Sequence, residues 1–154
     1  MQRLALLTVG RIKEAWARAA CEEYQKRIQG QMQLEIVELM PSKGRTPDQQ
    51  CAEESERLLR YIERAEGQVY ILDETGDRLT SPQFSEMITK ARDAGTPMVF
   101  VLGGAYGFTD VVRKAGKTLR LSDMTLPHEL CRVLFLEQLY RAGEIARGSQ
   151  YHHA

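Results

Sequence analysis

The sequence predicts an α/β fold, a parallel sheet flanked by helices. Short apolar runs rich in β-branched residues alternate along the chain with longer amphipathic stretches, the pattern of strand–helix–strand units. Several of those apolar runs also lack strict in–out alternation, as strands do when helices cover both faces of their sheet. Neither an internal repeat nor a low-complexity segment interrupts the pattern.

Taken in order, the N-terminal apolar run is too short to span a membrane and lacks a small-residue cleavage site, so Leu4–Val9 reads as a first strand rather than a secretion signal. An amphipathic helix is expected from about Glu14 to Ile28, then a strand at Leu34–Leu39. Met40-Pro41-Ser42-Lys43-Gly44-Arg45 reads as a flexible basic loop, too short to separate domains. Thr46-Pro47 opens a helix to about Ala65, with proline at the first helical position, where its missing N–H costs nothing. A strand follows at Gln68–Asp73, then a helix over Pro82–Ala94 announced by Ser81-Pro82. Met98–Leu102 is the next strand, Thr109–Ala115 a short helix, and Thr118–Leu121 the last strand. Leu126-Pro127 opens a final helix to about Ala146. The hydroxyls of Thr46 and Ser81 supply caps at two of these starts.

The 154 residues fit one domain, residues 1–154, large enough to bury a core without disulfides or structural metal. Apolar residues make up 43% and charged residues 27%, the balance of a globular protein. Cys21, Cys51 and Cys131 are odd in number and contain no CxxC pair, which points to a reducing cytoplasm and away from zinc; each reads as a packed thiol. With 21 basic and 21 acidic side chains, bulk charge gives no sign of a nucleic-acid partner. Any RNA contact must come from a local patch, and Arg11, Lys13, Lys43 and Arg45 are candidates for it.

Ligands in open parallel sheets bind in loops leaving the carboxyl ends of strands. Three loops qualify: Glu74-Thr75-Gly76-Asp77-Arg78, Gly103-Gly104-Ala105-Tyr106-Gly107-Phe108, and Ser122-Asp123-Met124-Thr125-Leu126-Pro127-His128. The glycines let backbone approach a ligand without a Cβ in the way. The second loop is not GxGxxG and no phosphate-loop lysine follows, so dinucleotide and nucleoside-triphosphate folds lack their fingerprints. The third loop mixes apolar side chains with main-chain groups, which suits an adenine held between apolar walls.

Phe100-Val101-Leu102-Gly103-Gly104-Ala105-Tyr106-Gly107 and the run from Leu119 to His128 resemble the RlmH family of the SPOUT superfamily, pseudouridine N3-methyltransferases acting on 23S ribosomal RNA. Leu130 to Ala142 looks like that family's final helix and Tyr151-His152 like its closing motif, so the resemblance covers essentially the whole chain. It implies an α/β knot, in which the C-terminal segment threads a loop to form a trefoil. It implies S-adenosyl-L-methionine as methyl donor, without a metal, held near Leu72, Gly103, Gly104, Leu121, Ser122, Asp123, Met124, Thr125 and Leu126. Its partners would be 23S rRNA in the assembled ribosome and a second copy of the chain, in the cytoplasm and with no membrane.

N3 of pseudouridine carries a proton and is a poor nucleophile until that proton leaves, so the site needs alignment and a base. His128, beside the donor loop, is one base, since histidine exchanges protons near neutral pH. The resemblance adds Tyr151 and His152 from the tail. Relatives place Arg or Lys after the Tyr-His pair, whereas this chain has His153 and ends at Ala154. Each has a blander reading: a helix-start histidine as a cap, the tail as a frayed terminus, the loop carboxylates as turn formers, Arg132 and Arg141 as solvated groups, RNA contacts or anchors for Glu137 across a dimer. Two other functions fit the same residues. One is a SPOUT enzyme acting on another RNA such as tRNA, because the donor pocket does not choose the acceptor; the other is a catalytically impaired module that binds donor and RNA.

Overall fold

The computed structural model describes residues 1–153, and Ala154 lies outside them. The chain runs β1 (Gln2–Val9), α1 (Ala15–Ile28), β2 (Met32–Leu39), α2 (Pro47–Arg64), β3 (Gln68–Arg78), α3 (Ser81–Asp93), β4 (Met98–Val101), α4 (Asp110–Arg113), β5 (Lys117–Arg120) and α5 (His128–Ala146). The five strands form one sheet in the order β2-β1-β4-β3-β5, and every pairing is parallel.

Helices cover both faces, which explains the missing alternation in β1 and β4: all four residues of β4 are buried. One face packs against α1, α3 and α5. There Phe100 stacks on Tyr70 with ring centroids 5.3 Å apart, and Phe135 of α5 approaches Phe100 at 4.9 Å. The other face packs against α2 and α4, with Leu58, Ile62 and Val112 laid over Leu7, Ile71 and Val101.

The helix starts obey the cap chemistry with small shifts. Thr46 caps α2, accepting from the Gln49 amide at 3.1 Å, with Pro47 first in the helix. For α3 the cap is Thr80, not Ser81, because Gln83 completes a capping box with it: the Gln83 amide donates to Thr80 Oγ1 and the Gln83 side chain accepts from the Thr80 amide. Pro127 sits just outside α5, and α4 keeps one turn, Asp110–Arg113, of the longer expected helix.

The largest departure is in β3. The segment expected as a loop after Asp73 belongs to the strand, which leaves its partner and returns to it. Leu72 and Asp77 both pair with Leu119, and Arg78 then pairs with Arg120. The residues between them bulge out. Re-entry needs glycine at position 76, because a Cβ there would lie 2.5 Å from the Leu119 nitrogen.

Candidate functional site

Because β4, β3 and β5 are parallel neighbours, their carboxyl ends open side by side and their three exits meet. They enclose a cleft of about 560 Å³, within the range of small-molecule sites. The β3 bulge contributes Leu72, Asp73 and Glu74, the exit of β4 contributes Leu102 to Ala105, and the exit of β5 contributes Leu121, Ser122 and Met124 to Leu126. His128, exposed in the first turn of α5, lies on the same wall, with Cys131 one turn on.

Short polar links hold the loops in place. Thr125 Oγ1 donates to Glu74 at 3.3 Å, tying the third loop to the first. The Met124 amide donates to Ser122 Oγ at 2.9 Å. Asp73 has a side chain only 10% exposed and pairs with Arg113 at 3.2 Å, while the Thr75 hydroxyl and amide also donate to it. Burial pushes the Asp73 carboxyl up, but the Thr75 and Arg113 donors more than reverse this and hold it below the usual aspartate value. Cys131 is pushed up by burial and then by Glu74, so it stands at the cleft as a neutral thiol.

Glu129, next to His128, receives the amides of Lys13 and Glu14 at 3.1 and 3.0 Å. It satisfies the N-cap amide of α1 and the amide before it, and so ties the Lys13–Glu14 segment to the start of α5. Burial opposes its charge, yet those two amides and His128 outweigh it and keep Glu129 ionised below the usual glutamate range.

Of the nine expected donor-binding residues, all line the cleft except Asp123. That carboxylate turns outward to Arg78 and Arg120, each at 2.9 Å, and Arg120 Nε also donates to the Gly76 carbonyl at 2.7 Å. Asp123 therefore fastens the third loop to the β3 bulge. The two glycines also answer a demand from inside the protein. A Cβ on Gly104 would meet Glu54 Oε1 at 2.5 Å, and one on Gly103 would meet the Phe108 ring at 3.0 Å, so their missing side chains make room for protein behind the loop. Glu54, only 6% exposed, also accepts from the Ser42 amide at 3.0 Å. Sequence reasoning missed it, although it sits with Ser55, Leu58 and Ile62 on the buried face of α2, where a charge is unusual.

The tail residues lie elsewhere. Tyr151 donates its hydroxyl to Glu137 Oε1 at 3.1 Å, its ring lies under the Arg141 guanidinium and edge-on to Tyr140, and Arg141 Nη1 stands 3.1 Å from His152 Nδ1. The Tyr151 phenol, half-buried and next to Glu137, is pushed up to about 12 and stays protonated. At 1.5 Å per residue, these contacts fall roughly 14–20 Å along α5 from His128. Within one chain, His128 and the Tyr151-His152 pair are therefore not neighbours. The His152 Nε2 atom is buried without a partner among the described residues.

The two helix arginines are also reassigned. Arg132 is 7% exposed and donates to Glu38 at 2.7 Å and to Thr8 and the Gly10 carbonyl at 3.0 Å, a buried tie between α5 and the sheet and not a solvated group. Arg141 holds Glu137 of its own helix at 2.6 Å. Among the described residues no group of three or more metal-ligating side chains converges, and no helix is long and apolar enough to cross a membrane.

A family model described as "Predicted SPOUT methyltransferase" matches residues 2–152. The chain is 45% identical to the ribosomal RNA large subunit methyltransferase H of Geobacter sp. (strain M21), over 98% of this chain and 99% of that relative. Against the protein of the same name from Citrifermentans bemidjiense the identity is 44%, with the same coverage. A crystal structure of a methylase family protein from Neisseria gonorrhoeae shares the fold at a TM-score of 0.55 and 11% identity, covering 99% of this chain and 89% of that one. Near-complete coverage by the family model and these relatives, together with a cleft built where the fold opens, means that this chain belongs to the SPOUT methyltransferase family.

Proposed function

We propose that the protein transfers the methyl group of S-adenosyl-L-methionine to N3 of a pseudouridine in 23S rRNA of the assembled ribosome. The observation that carries the reading is the single cleft in which three strand exits meet His128. Relatives covering nearly the whole chain, named for large-subunit rRNA, supply the substrate class.

The cleft fits the donor in size and lining: apolar walls from Leu72, Leu102, Leu121 and Leu126 flank main chain at Gly103 and Ser122, a setting for an adenine and its ribose. The bound donor supplies an electrophilic methyl on a positively charged sulfur. Asp73 and Glu74, at the cleft edge, place negative charge near that cation. N3 attacks the methyl carbon in line, the carbon–sulfur bond breaks toward sulfur, and the N3 proton passes to His128, whose exposed position at the cleft wall leaves it open to a base from outside.

Tyr151 and His152 take part by way of a second copy. In one chain they stand too far along α5 to reach His128, whereas a two-fold contact along that helix would carry each tail to the partner's cleft. The half-buried side chains of Leu130, Val133, Leu134 and Tyr140 leave α5 with apolar surface for such a contact. A homodimer, a C-terminal trefoil knot and a cytoplasmic site of action belong to the same reading. The exposed side chains of Lys43 and Arg45 in the basic loop, with those of Arg11 and Lys13, serve as phosphate contacts beside the cleft.

The test is methyl transfer from labelled donor to ribosomes lacking the modification, followed by mass spectrometry of the nucleosides. A methyl group on N3 of a pseudouridine is expected. Transfer to tRNA in its place, or donor binding without turnover on either RNA, would replace the reading.

A further inference from the structure

A groove of about 680 Å³ lies on the α2 face of the sheet, and it shares no lining residue with the donor cleft. Arg3 of β1 and Arg57, Arg60 and Arg64 of α2 line it, with Tyr61 between them. On α2 the spacing i, i+3, i+4, i+7 puts these four side chains on one face. The floor is aliphatic, from β1, β2 and β4. Glu35 and Glu66 stand at its edge, so four arginines against two glutamates leave an excess of two positive charges in a chain whose net charge is zero.

Those cations are available. Among the described residues no carboxylate lies within ion-pair distance of Arg3, Arg57 or Arg64, and Arg60 has only Glu56 at 3.9 Å, both members of the pair well exposed. Arg57 donates to the Met40 carbonyl at 2.7 Å, which joins the groove to the basic loop. That loop is held at Ser42 by Glu54, whose carboxylate packs behind Gly104 of the donor cleft. A continuous run of contacts thus leads from cleft to loop to groove, past the exposed Lys43 and Arg45.

We propose that this groove is a second RNA-binding site, gripping the sugar-phosphate backbone of the rRNA substrate while a nearby nucleotide occupies the donor cleft. The inference rests on the rRNA reading above and adds where the RNA is held. Guanidinium groups pair with phosphate oxygens in bidentate fashion, and a tyrosine ring among them offers a face for an unpaired base. A second copy of the chain fits less well. A two-fold contact would set the same arginines against their own copies, like charge against like.

The experiment compares the wild-type protein with Arg60→Gln/Arg64→Gln and Arg60→Lys/Arg64→Lys, whose side chains are exposed on a helix surface. Binding to unmodified large ribosomal subunits is followed by anisotropy of the labelled enzyme from about 50 to 300 mM salt, where each lost phosphate contact lowers the salt slope by about 0.7. The glutamine pair should bind at least ~10-fold more weakly with a slope smaller by about 1 to 2, and the lysine pair should keep most of the slope, at constant donor affinity and oligomeric state. Equal affinity and slope in the glutamine pair would overturn the inference, as would a change in oligomeric state at constant slope, which would make the groove a subunit contact. Methyl transfer by the wild-type protein is scored separately. An arginine-dependent slope without any transfer supports the groove and refutes the rRNA reading, and transfer with an unchanged slope does the reverse.

Discussion

Replacing Gly104 by alanine inserts one carbon atom where the structure has no room for it. That Cβ would stand 2.5 Å from Glu54 Oε1 and 3.6 Å from Val9, so the Glu54 carboxylate or the loop must move by the better part of an ångström to restore contact distance. Glu54 is the far end of a flexible side chain, but it is buried and its other oxygen holds the Ser42 amide. Swinging it away breaks that bond and leaves a buried charge short of a donor, which costs about 1–3 kcal/mol. For a chain of this length each kcal/mol lowers Tm by about 2–4 °C, so thermal denaturation should register a drop of roughly 2–12 °C. To the extent that the loop gives way instead, calorimetry should find S-adenosylmethionine bound at least ~10-fold more weakly, a loss of about 1.4 kcal/mol. A double-mutant cycle with Glu54→Ala isolates the cause, since Gly104→Ala should cost little once the carboxylate is gone. In a Glu54→Gln background, which keeps the volume, it should cost nearly the full amount. Additivity of the Glu54→Ala and Gly104→Ala effects within about 0.5 kcal/mol would refute the steric reasoning.

His128→Ala should lower methyl transfer by roughly 10- to 1000-fold while shifting donor affinity only slightly; equal losses in both would make it a donor ligand instead of a base. Deleting residues 149–154 should abolish most turnover yet cost only about 1 kcal/mol of stability, since the tail's main apolar contact is the 4.8 Å Tyr140–Tyr151 pair. Mixing the tail-deleted protein with His128→Ala should restore part of the activity through hybrid dimers, and no recovery would confine each tail to its own chain. Asp73, whose pKa is lowered in the folded protein, contributes stability that is present above its unfolded value and lost as pH falls through its folded one. The stability gap between wild type and Asp73→Asn should therefore be widest at neutral pH and close below about pH 4, and a gap that persists in acid would assign the contribution to packing. Cys21, its thiol pushed up to about 11 by burial, should resist alkylation at pH 8 far longer than the half-buried Cys51.

The ten elements were legible because each carries its own local signal: apolar runs for strands, and for helices amphipathic stretches, two of them opened by a threonine cap and a proline. The cleft was legible for a topological reason, since parallel strands deliver their exits to one end of the sheet. What escaped depends on partners far apart in the sequence. Arg132 is flanked by apolar helix neighbours, and nothing local pairs it with Glu38, Thr8 and Gly10, which lie more than ninety residues earlier. Asp123 reads locally as a cleft residue, but Arg78 from another strand turns it outward. Gly103 and Gly104 line the cleft, and nothing local shows that the space they leave is filled from behind by the Phe108 ring and by Glu54. A sequence reveals that a Cβ is missing, not which neighbour fills the space.

The detour in β3 has a bearing on how this cleft can change. An extra residue in a strand ordinarily shifts every later side chain to the other face of the sheet. Here the chain returns to the partner it left, Leu119, so the length of the excursion is uncoupled from the pairing of Arg78 with Arg120. Residues 73–75 can then be exchanged, or one added, with the barrier to variation set by their own contacts and not by the sheet. Gly76 is the fixed point of re-entry, pressed against the Leu119 backbone. One wall of the cleft thus behaves as an interchangeable module on a constant frame, a place where altered selectivity can be selected without refolding the protein around it.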